Sequence, residues 1–397
     1  MQVFGDRWVA AWNSRVSRRR IYVRPLARLA PMEGPQQVPT IAVAGRTDLP
    51  FAAAEVIERE DGKVRRRQVT AAKLQGGTAA GSAQAVLARL GRPRADVAGI
   101  ALDRVRLMGV VNVTPDSFYD GGPYLAKDAA IAHALRLEQE GADILDIGGE
   151  STRPWSEPLG LEEECGRVLP VIAALAKRTR ARLSIDTRKA EVMRRAALEG
   201  AHIINDVSAL THDPRSMEVA AELGLPVVLM HSQGDPRTMQ DAPSYDDVVL
   251  DVYDALQARI EACERAGIPS ARLIVDPGIG FGKALQHNLA IVGALSIFHG
   301  LGCAVLLGAS RKSFIGHLTG AEAPDRLPGS IAAALLGAAQ GVQILRVHDV
   351  HATGQALAVW EAAMAAKSPV AGKDGTSGTD PKLQHRGSPR AEGDGAA

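Results

Sequence analysis

Cysteine is nearly absent from this chain. Only Cys165, Cys263 and Cys303 occur in 397 residues, far apart and without CxxC spacing. An odd, dispersed count argues against a disulfide framework or a zinc site and fits a reducing cytoplasm. Charge of one sign is also lacking: 46 Lys and Arg face 45 Asp and Glu, a net charge of +1. Bulk charge therefore points to neither a nucleic acid nor a membrane partner. No apolar run reaches the roughly 18 residues of a membrane span. Aromatics are few, at 4%, while Ala and Gly abound, which favours small-residue packing of helices on strands. No GxGxxG follows the first strand candidate, which weakens a dinucleotide-binding reading. No HxxxH or Cys/His cluster supports a tightly held transition metal. No Ser-His-Asp order or GxSxG elbow suggests a covalent nucleophile.

Three zones are present. Residues 1–100 have weak periodicity, Gly-rich patches such as LQGGTAAGSA and a basic KVRRR. They read as an N-terminal extension of uncertain structure, with room for a small α/β subdomain. Residues 7–28 hold seven Arg and no acid, which faintly resembles a transit peptide but reads better as an exposed basic leader or an over-long start. From 367 onward large apolar residues vanish apart from Val370 and Leu383, so this tail cannot offset its ordering entropy and is expected to be disordered.

Between them, residues 101–366 repeat one unit: helix, Gly, apolar run, polar end. EQEGADILDIGGE, ALEGAHIINDV and AELGLPVVLMHSQG show it, as do ERAGIPSARLIVDPG and AAQGVQILRVHD. Gly141, Gly200, Gly224, Gly267 and Gly341 stand where a helix should stop in a left-handed cap. The apolar runs are short and lack alternation, as in parallel strands buried on both faces. Eight such strands are predicted near 106–113, 143–148, 182–186, 202–206, 226–231, 273–276, 304–309 and 343–348. Helical segments follow each one, with Ile131 and Leu135 sharing a face. Strict βα alternation in eight units predicts a closed (β/α)8 TIM barrel.

Such barrels carry their sites at the C-terminal ends of the strands. Those ends supply Asn112, Asp146, Asp186, Asn205 with Asp206, His231, Asp276, Ser310 with Arg311 and Lys312, and Arg346 with His348. Any one could be a turn former or helix cap; Asp213, before Pro214, reads as only that. Their shared placement is the signal. Asp146, Asp186, Asn205 and Asp276 suit a flat heterocycle with several N–H donors. Lys312, Arg346 and His348, with Arg153 on the loop after strand two, suit a phosphate or pyrophosphate. Asn112 offers a hard oxygen compatible with Mg²⁺. The loops TPDSFYDGGPY and GGESTRPWSEP exceed the usual βα connection and could cover a site.

NVTPDSFYDGG, DIGGESTRP, SIDT, HIINDV, VVLMHSQGDPRTMQ, DPGIGFGK, GASRKSFIG and RVHDV, in this order from about 106 to 362, closely resemble the dihydropteroate synthase family of the bacterial folate pathway. The resemblance implies a transferase, sensitive in the family to sulfonamides. It joins 4-aminobenzoate to 6-hydroxymethyl-7,8-dihydropterin pyrophosphate, giving 7,8-dihydropteroate and pyrophosphate. It implies that Asp186, Asn205, Asp276 and Lys312 hold the pterin, with Asp146 beside it and Met230 at the substrate. Asn112, Arg153, Arg346 and His348 would hold the pyrophosphate with Mg²⁺, Asn112 being the metal ligand and Thr152 also at the substrate. Phe118, Thr152, Pro154, Phe281 and Ser313 would form the aminobenzoate pocket. No general base stands out, and Phe118, Asp120, Ser151, Thr152 and Arg153 are the expected catalytic loop residues. A cytoplasmic homodimer is implied as well, joined through helices on one side of the barrel. Two departures from the common pattern occur: IDTRKA after strand three and Tyr119 in loop one. A pterin-dependent methyltransferase barrel and a non-catalytic pterin-binding paralogue are the rival readings. The first has no need of the STRP and SRKS loops, and the second should have lost rim residues.

Overall fold

The computed structural model describes residues 19–26, 39–76, 81–113, 122–150, 159–234, 239 and 241–366. The expected tail from 367 onward lies outside the described residues, as do residues 1–18.

Eight parallel strands close into a barrel in sequence order: β6 (Arg106–Asn112), β7 (Ile144–Gly148), β8 (Arg182–Asp186), β9 (Ile203–Asp206), β10 (Val227–Met230), β11 (Leu273–Asp276), β12 (Ala304–Leu307) and β13 (Ile344–Val347). The predicted strands lie where these do. Helices α3 (Gly122–Gln139), α4 (Leu161–Ala176), α5 (Ala190–Leu198), α6 (Ser216–Leu223), α7 (Val248–Arg265), α8 (Leu285–Val292), α9 (Ser313–Thr319), α10 (Leu327–Ala339) and α11 (Val350–Ala365) fill the connections. Gly224, directly after α6, has φ 68°. A residue with a Cβ is strained there, which is why the helix can turn into its strand only at glycine.

Side chains alternate between two cores. Leu107, Leu145, Leu183, Ile204, Leu229, Val275, Val305 and Leu345 point outward into the layer shared with the helices. Met108, Ile144, Ile203, Val228, Ile274, Leu306 and Ile344 point inward and fill the lumen, which Val97 and Leu102 close from below. The period of two then dictates what lies one step further along each strand. Asn112, Asp146, Asp186, Asn205, Met230, Asp276 and Arg346 all have inward parity, above this apolar plug.

The first hundred residues are more ordered in pattern than their sequence suggests. Strand β1 (Arg20–Pro25) pairs antiparallel with β4 (Ala53–Glu60), which pairs with β5 (Lys63–Thr70). A second hairpin joins β2 (Ile41–Val43) to β3 (Arg46–Phe51), and helices α1 (Ala71–Gln75) and α2 (Gly81–Gly91) follow. These elements have a small core of Val23, Phe51, Val56 and Leu90. Tyr22 and Ile57 belong instead to the outer core of the barrel, and the described residues through Ala365 fall in one compact unit.

Tyr22 fixes this junction. Its hydroxyl donates to Asp254 on α7, 2.9 Å from either carboxylate oxygen, and its ring meets Tyr253 edge-on. Arg20 Nη1 lies 2.6 Å from the same carboxylate. Burial drives the Asp254 pKa up, and the two arginines Arg20 and Arg59 with the Tyr22 hydroxyl only partly counter it. Removing a buried partner leaves the others desolvated and unpaired. Asp254→Ala is therefore expected to cost about 3 kcal/mol in urea unfolding, and Tyr22→Phe about 1 kcal/mol. Equal losses would show that the carboxylate does not organise the junction.

Candidate functional site

The inward-facing ends of the strands converge. Arg346, from β13, donates through Nε to Asp146 Oδ2 at 2.6 Å and through Nη2 to Asp186 Oδ2 at 2.8 Å. Asn205 Nδ2 donates to the same Asp146 oxygen at 3.0 Å. Four strands thus meet in one hydrogen-bonded group. Asp146 Oδ1 is buried and has no hydrogen-bond partner among the described residues, an acceptor held ready in a low-dielectric lumen. Burial pushes the Asp186 pKa up, Arg346 draws it down and the neighbouring Asp146 charge raises it again, leaving it above the usual carboxylate range. Burial works against the Arg346 charge, but Asp146 and Asp186 outweigh it and raise its pKa.

A second group stands on β11 and β12. Asp276 Oδ1 accepts from Gly278 N at 2.7 Å. Its pKa is raised by burial against the opposing pull of Lys312. Lys312 donates to the Ile279 carbonyl and sits 4.4 Å above the Phe281 ring. Burial lowers its pKa to about 8, although Asp276 favours the charge. Glycine keeps the space between the two groups open. A Cβ at Gly308 would meet Asp276 Oδ2 at 3.7 Å and Arg346 Cβ at 3.9 Å. At Gly148 it would meet Asp186 Cβ at 3.4 Å.

Not every strand-end residue joins them. Asp206 has outward parity; its carboxylate takes Ser208 N, Ser208 Oγ and Leu210 N, so it shapes a turn. Arg311 also leaves the rim. It has φ 56° and pairs with Asp349 through Nε and Nη2, stapling the loop after β12 to the loop after β13. Ser310 Oγ adds a second staple, accepting from His348 N at 3.2 Å and meeting His348 Nδ1 at 3.0 Å. Asn112 ends β6 half-buried, and Met230 is buried at the end of β10. Ser313 opens α9 and is exposed. Phe118, Asp120, Ser151, Thr152, Arg153 and Pro154 lie outside the described residues, as does Tyr119.

Two further side chains escaped the sequence reading. Lys283 is 2% exposed and donates to Phe281 O at 2.9 Å and His231 O at 3.2 Å, with His231 Nδ1 at 3.0 Å. Burial lowers its pKa to about 7. Glu150 Oε1 accepts from Leu159 N and Arg188, and Oε2 from Lys189. Burial pushes the Glu150 pKa up, but these partners outweigh it and hold it below the usual range. Arg188, one of the residues that departs from the common pattern, so gains a defined partner.

What this mouth can do follows from its donors. Each group sets carboxylates beside a cation, Asp146 and Asp186 with Arg346 and Asp276 near Lys312, and Asn205 adds an amide. A planar ligand with N–H donors and an anionic substituent would satisfy both. Gly308→Val is expected to fill the gap between Asp276 and Arg346. Affinity for such a planar ligand should fall at least about tenfold, an effect of the size of one or two lost polar contacts, with melting temperature nearly unchanged. Calorimetric titration checks it, and unaltered affinity would place the ligand elsewhere.

The pterin-binding enzyme family matches residues 108–348. The chain is 48% identical over 266 residues to the dihydropteroate synthase of Escherichia coli K12, a match covering 67% of this chain and 94% of that protein. It is 51% identical over 269 residues to the dihydropteroate synthase of Neisseria meningitidis serogroup B, covering 66% and 94%. Among solved structures it resembles the Xanthomonas albilineans dihydropteroate synthase with 4-aminobenzoic acid. There the TM-score is 0.65 at 52% identity, over 69% of this chain and 99% of that one. The same enzyme in complex with 7,8-dihydropteroate aligns with TM-score 0.63 at 50% identity, over 69% and 100%. The strand ends that gather Asp146, Asp186, Asn205, Asp276, Lys312 and Arg346 therefore belong to a member of the dihydropteroate synthase family of pterin-binding enzymes.

Proposed function

We propose that these residues divide between them the condensation of 6-hydroxymethyl-7,8-dihydropterin pyrophosphate with 4-aminobenzoate. The observation that carries this reading is the four-strand group around Arg346, with the buried unpartnered Asp146 Oδ1 beside it. Asp186, Asn205 and Asp276 accept from the pterin N–H groups, Asp146 completes the set, and Lys312 donates to a ring acceptor. Two of the five N–H donors of Arg346 are used by Asp146 and Asp186. Its remaining donors, with His348, meet the pyrophosphate. Phe281 and Ser313 border the aminobenzoate.

The reaction breaks the bond between the pterin methylene carbon and the pyrophosphate oxygen and forms one from that carbon to the aryl nitrogen. The pterin ring accommodates positive charge at the methylene, so departure runs ahead of attack. Cations around the leaving group stabilise the charge that develops there. The weakly basic amine needs positioning more than activation and loses its proton after the new bond forms. No general base is required.

Mg²⁺ fits this donor set only as a partner of the pyrophosphate. Among the described residues no three His, Cys, Asp or Glu side chains gather to hold an ion. Mg²⁺ usually keeps several waters and takes one or two protein oxygens with substrate phosphates. Asn112 Oδ1 is the oxygen we assign to it; when bound, the ion would neutralise pyrophosphate charge. The cytoplasm is the compartment we assign, supported by three free, buried cysteines.

The homodimer is assigned to α10 and α11. Helix α10 has no charged residue and exposes Leu336 at 54%, while α11 exposes Val359 at 72% beside few charges. Two neighbouring helices with such faces form a surface suited to a second copy.

Pyrophosphate release that depends on 4-aminobenzoate tests the function. Release without the amine, or none despite tight pterin binding, would favour the rival readings. Asp186→Ala should abolish pterin binding. Arg346→Ala should weaken the pyrophosphate ester and largely spare free pterin, and so should chelation of Mg²⁺. Wild-type turnover in both variants would overturn the assignment. Val359→Arg should yield monomers in light scattering; persistent dimers would move the interface to another face.

A further inference from the structure

Residues 1–100 hold seventeen Lys and Arg against eight Asp and Glu, and they lie outside the family match. Three of these arginines reach one helix. Arg59 Nη1 donates to Asp251 Oδ1 at 2.6 Å and lies 3.6 Å (Nη2) from Asp246. Arg66 Nη2 donates to Asp247 Oδ2 at 2.5 Å. Arg20 pairs with Asp254. The β4–β5 hairpin therefore grips the first turns of α7.

Those acids are not merely surface charges. Asp247 is the N-cap of α7, its Oδ1 accepting from Leu250 N at 3.2 Å. Asp251 Oδ2 accepts from the backbone N–H groups of Asp246 and Asp247 at 3.0 and 3.1 Å. The two arginines thus hold the carboxylates that hold this backbone. The next residue back, Tyr245, donates its hydroxyl to Gly282 O at 2.7 Å and packs edge-on against His287. Gly282 lies in the 277–284 loop, between Phe281 under Lys312 and Lys283 on His231. That loop is tight: Asn288 accepts from Gly280 N at 2.7 Å and donates to Lys283 O at 3.0 Å. A Cβ at Gly282 would stand 2.4 Å from Gln233 O.

We propose that the β4–β5 hairpin is a positioning element of the active site, acting from Arg66 and Arg59 through Asp247, Asp251 and Tyr245 on the loop that presents Phe281 beneath Lys312. The extension so becomes part of the enzyme's working geometry, and its arginines orient the hairpin on the start of α7. Arg66, Asp247 and Tyr245 are positioning residues and touch no substrate. The proposal rests on Phe281 and Lys312 bordering the bound substrates.

The test uses the full chain with Arg66→Ala, Tyr245→Phe and the double variant. Amine-dependent turnover of the unaltered protein is measured first, so a failure of the functional reading is seen separately. Arg66 is 40% exposed along its side chain, and its loss should leave the melting temperature nearly unchanged. Arg66→Ala is expected to raise the KM for 4-aminobenzoate about threefold to tenfold, with kcat little changed, the range typical of coupling through packed elements. Tyr245→Phe should do the same. The double variant should be no worse than Tyr245→Phe alone, since both act on one path. Arg66→Lys should restore most of the loss. Hydrogen exchange should also quicken at the Gly280 and Phe281 amides in Arg66→Ala. A wild-type KM in Arg66→Ala, or multiplying effects in the double variant, would overturn the proposal. So would a lowered melting temperature with unchanged KM and exchange, which would leave the hairpin as a brace for stability alone.

Discussion

One guanidinium between two carboxylates sets the rest of the site. Arg346 is drawn by Asp146 and Asp186 from strands on the far side of β6, inside a lumen plugged below by apolar side chains. A buried ion pair rarely adds stability over a well-packed apolar group, because desolvation costs as much as attraction returns. Here two negative charges share one positive charge, an arrangement poorer still as a device for folding. Its sense lies in what it offers a ligand. The excess acceptor capacity, seen in the unpartnered Asp146 Oδ1 and in the raised Asp186 pKa, is relieved by N–H groups that the protein itself does not supply.

Parity makes that arrangement legible in the sequence. In Ile144–Gly148 the order is in, out, in, out, in, so the residue that plugs the lumen fixes the face of the carboxylate two places on. The same count places Asn205 inside and Asp206 outside. Reading the strand ends without parity groups both together, and the structure separates them, giving Asp206 a turn to hold. Arg311 is separated for a different reason. It lies past the end of β12 with a left-handed backbone, where strand alternation no longer predicts direction. That conformation sends Arg311 to Asp349 and leaves Lys312, the next residue, turned to the mouth.

What the sequence hid is equally physical. Lysine is almost never fully buried without a partner, so Lys283 in a Gly-rich run reads as exposed. Its three acceptors include two carbonyls, which carry no residue-type signal at all. The extension is harder. Strand β5 is exposed on both faces through Lys63, Val64, Arg65, Arg66, Arg67 and Gln68, so it lacks the apolar alternation that marks a half-buried strand. Its one clear local sign is Asp61-Gly62, with φ of 50° and 74°, the pair favoured in a two-residue hairpin turn.

Charge explains why such a layer can stay attached. The chain as a whole is almost neutral, yet its basic residues crowd the extension and acids line the start of α7. A solvent-accessible pair such as Arg66–Asp247 contributes little singly, roughly 0–1 kcal/mol, so the ion pairs do not hold the extension in place by themselves. Apolar contact does that, through Tyr22 and Ile57 in the outer core of the barrel. The ion pairs add direction. They fix which acids of α7 the hairpin meets, and those acids hold the backbone ahead of the helix. A layer attached by hydrophobic burial and oriented by charge can vary in sequence and still deliver the same constraint to the loops of the site. Near-neutral net charge therefore conceals a division of labour within the chain rather than an absence of electrostatic purpose.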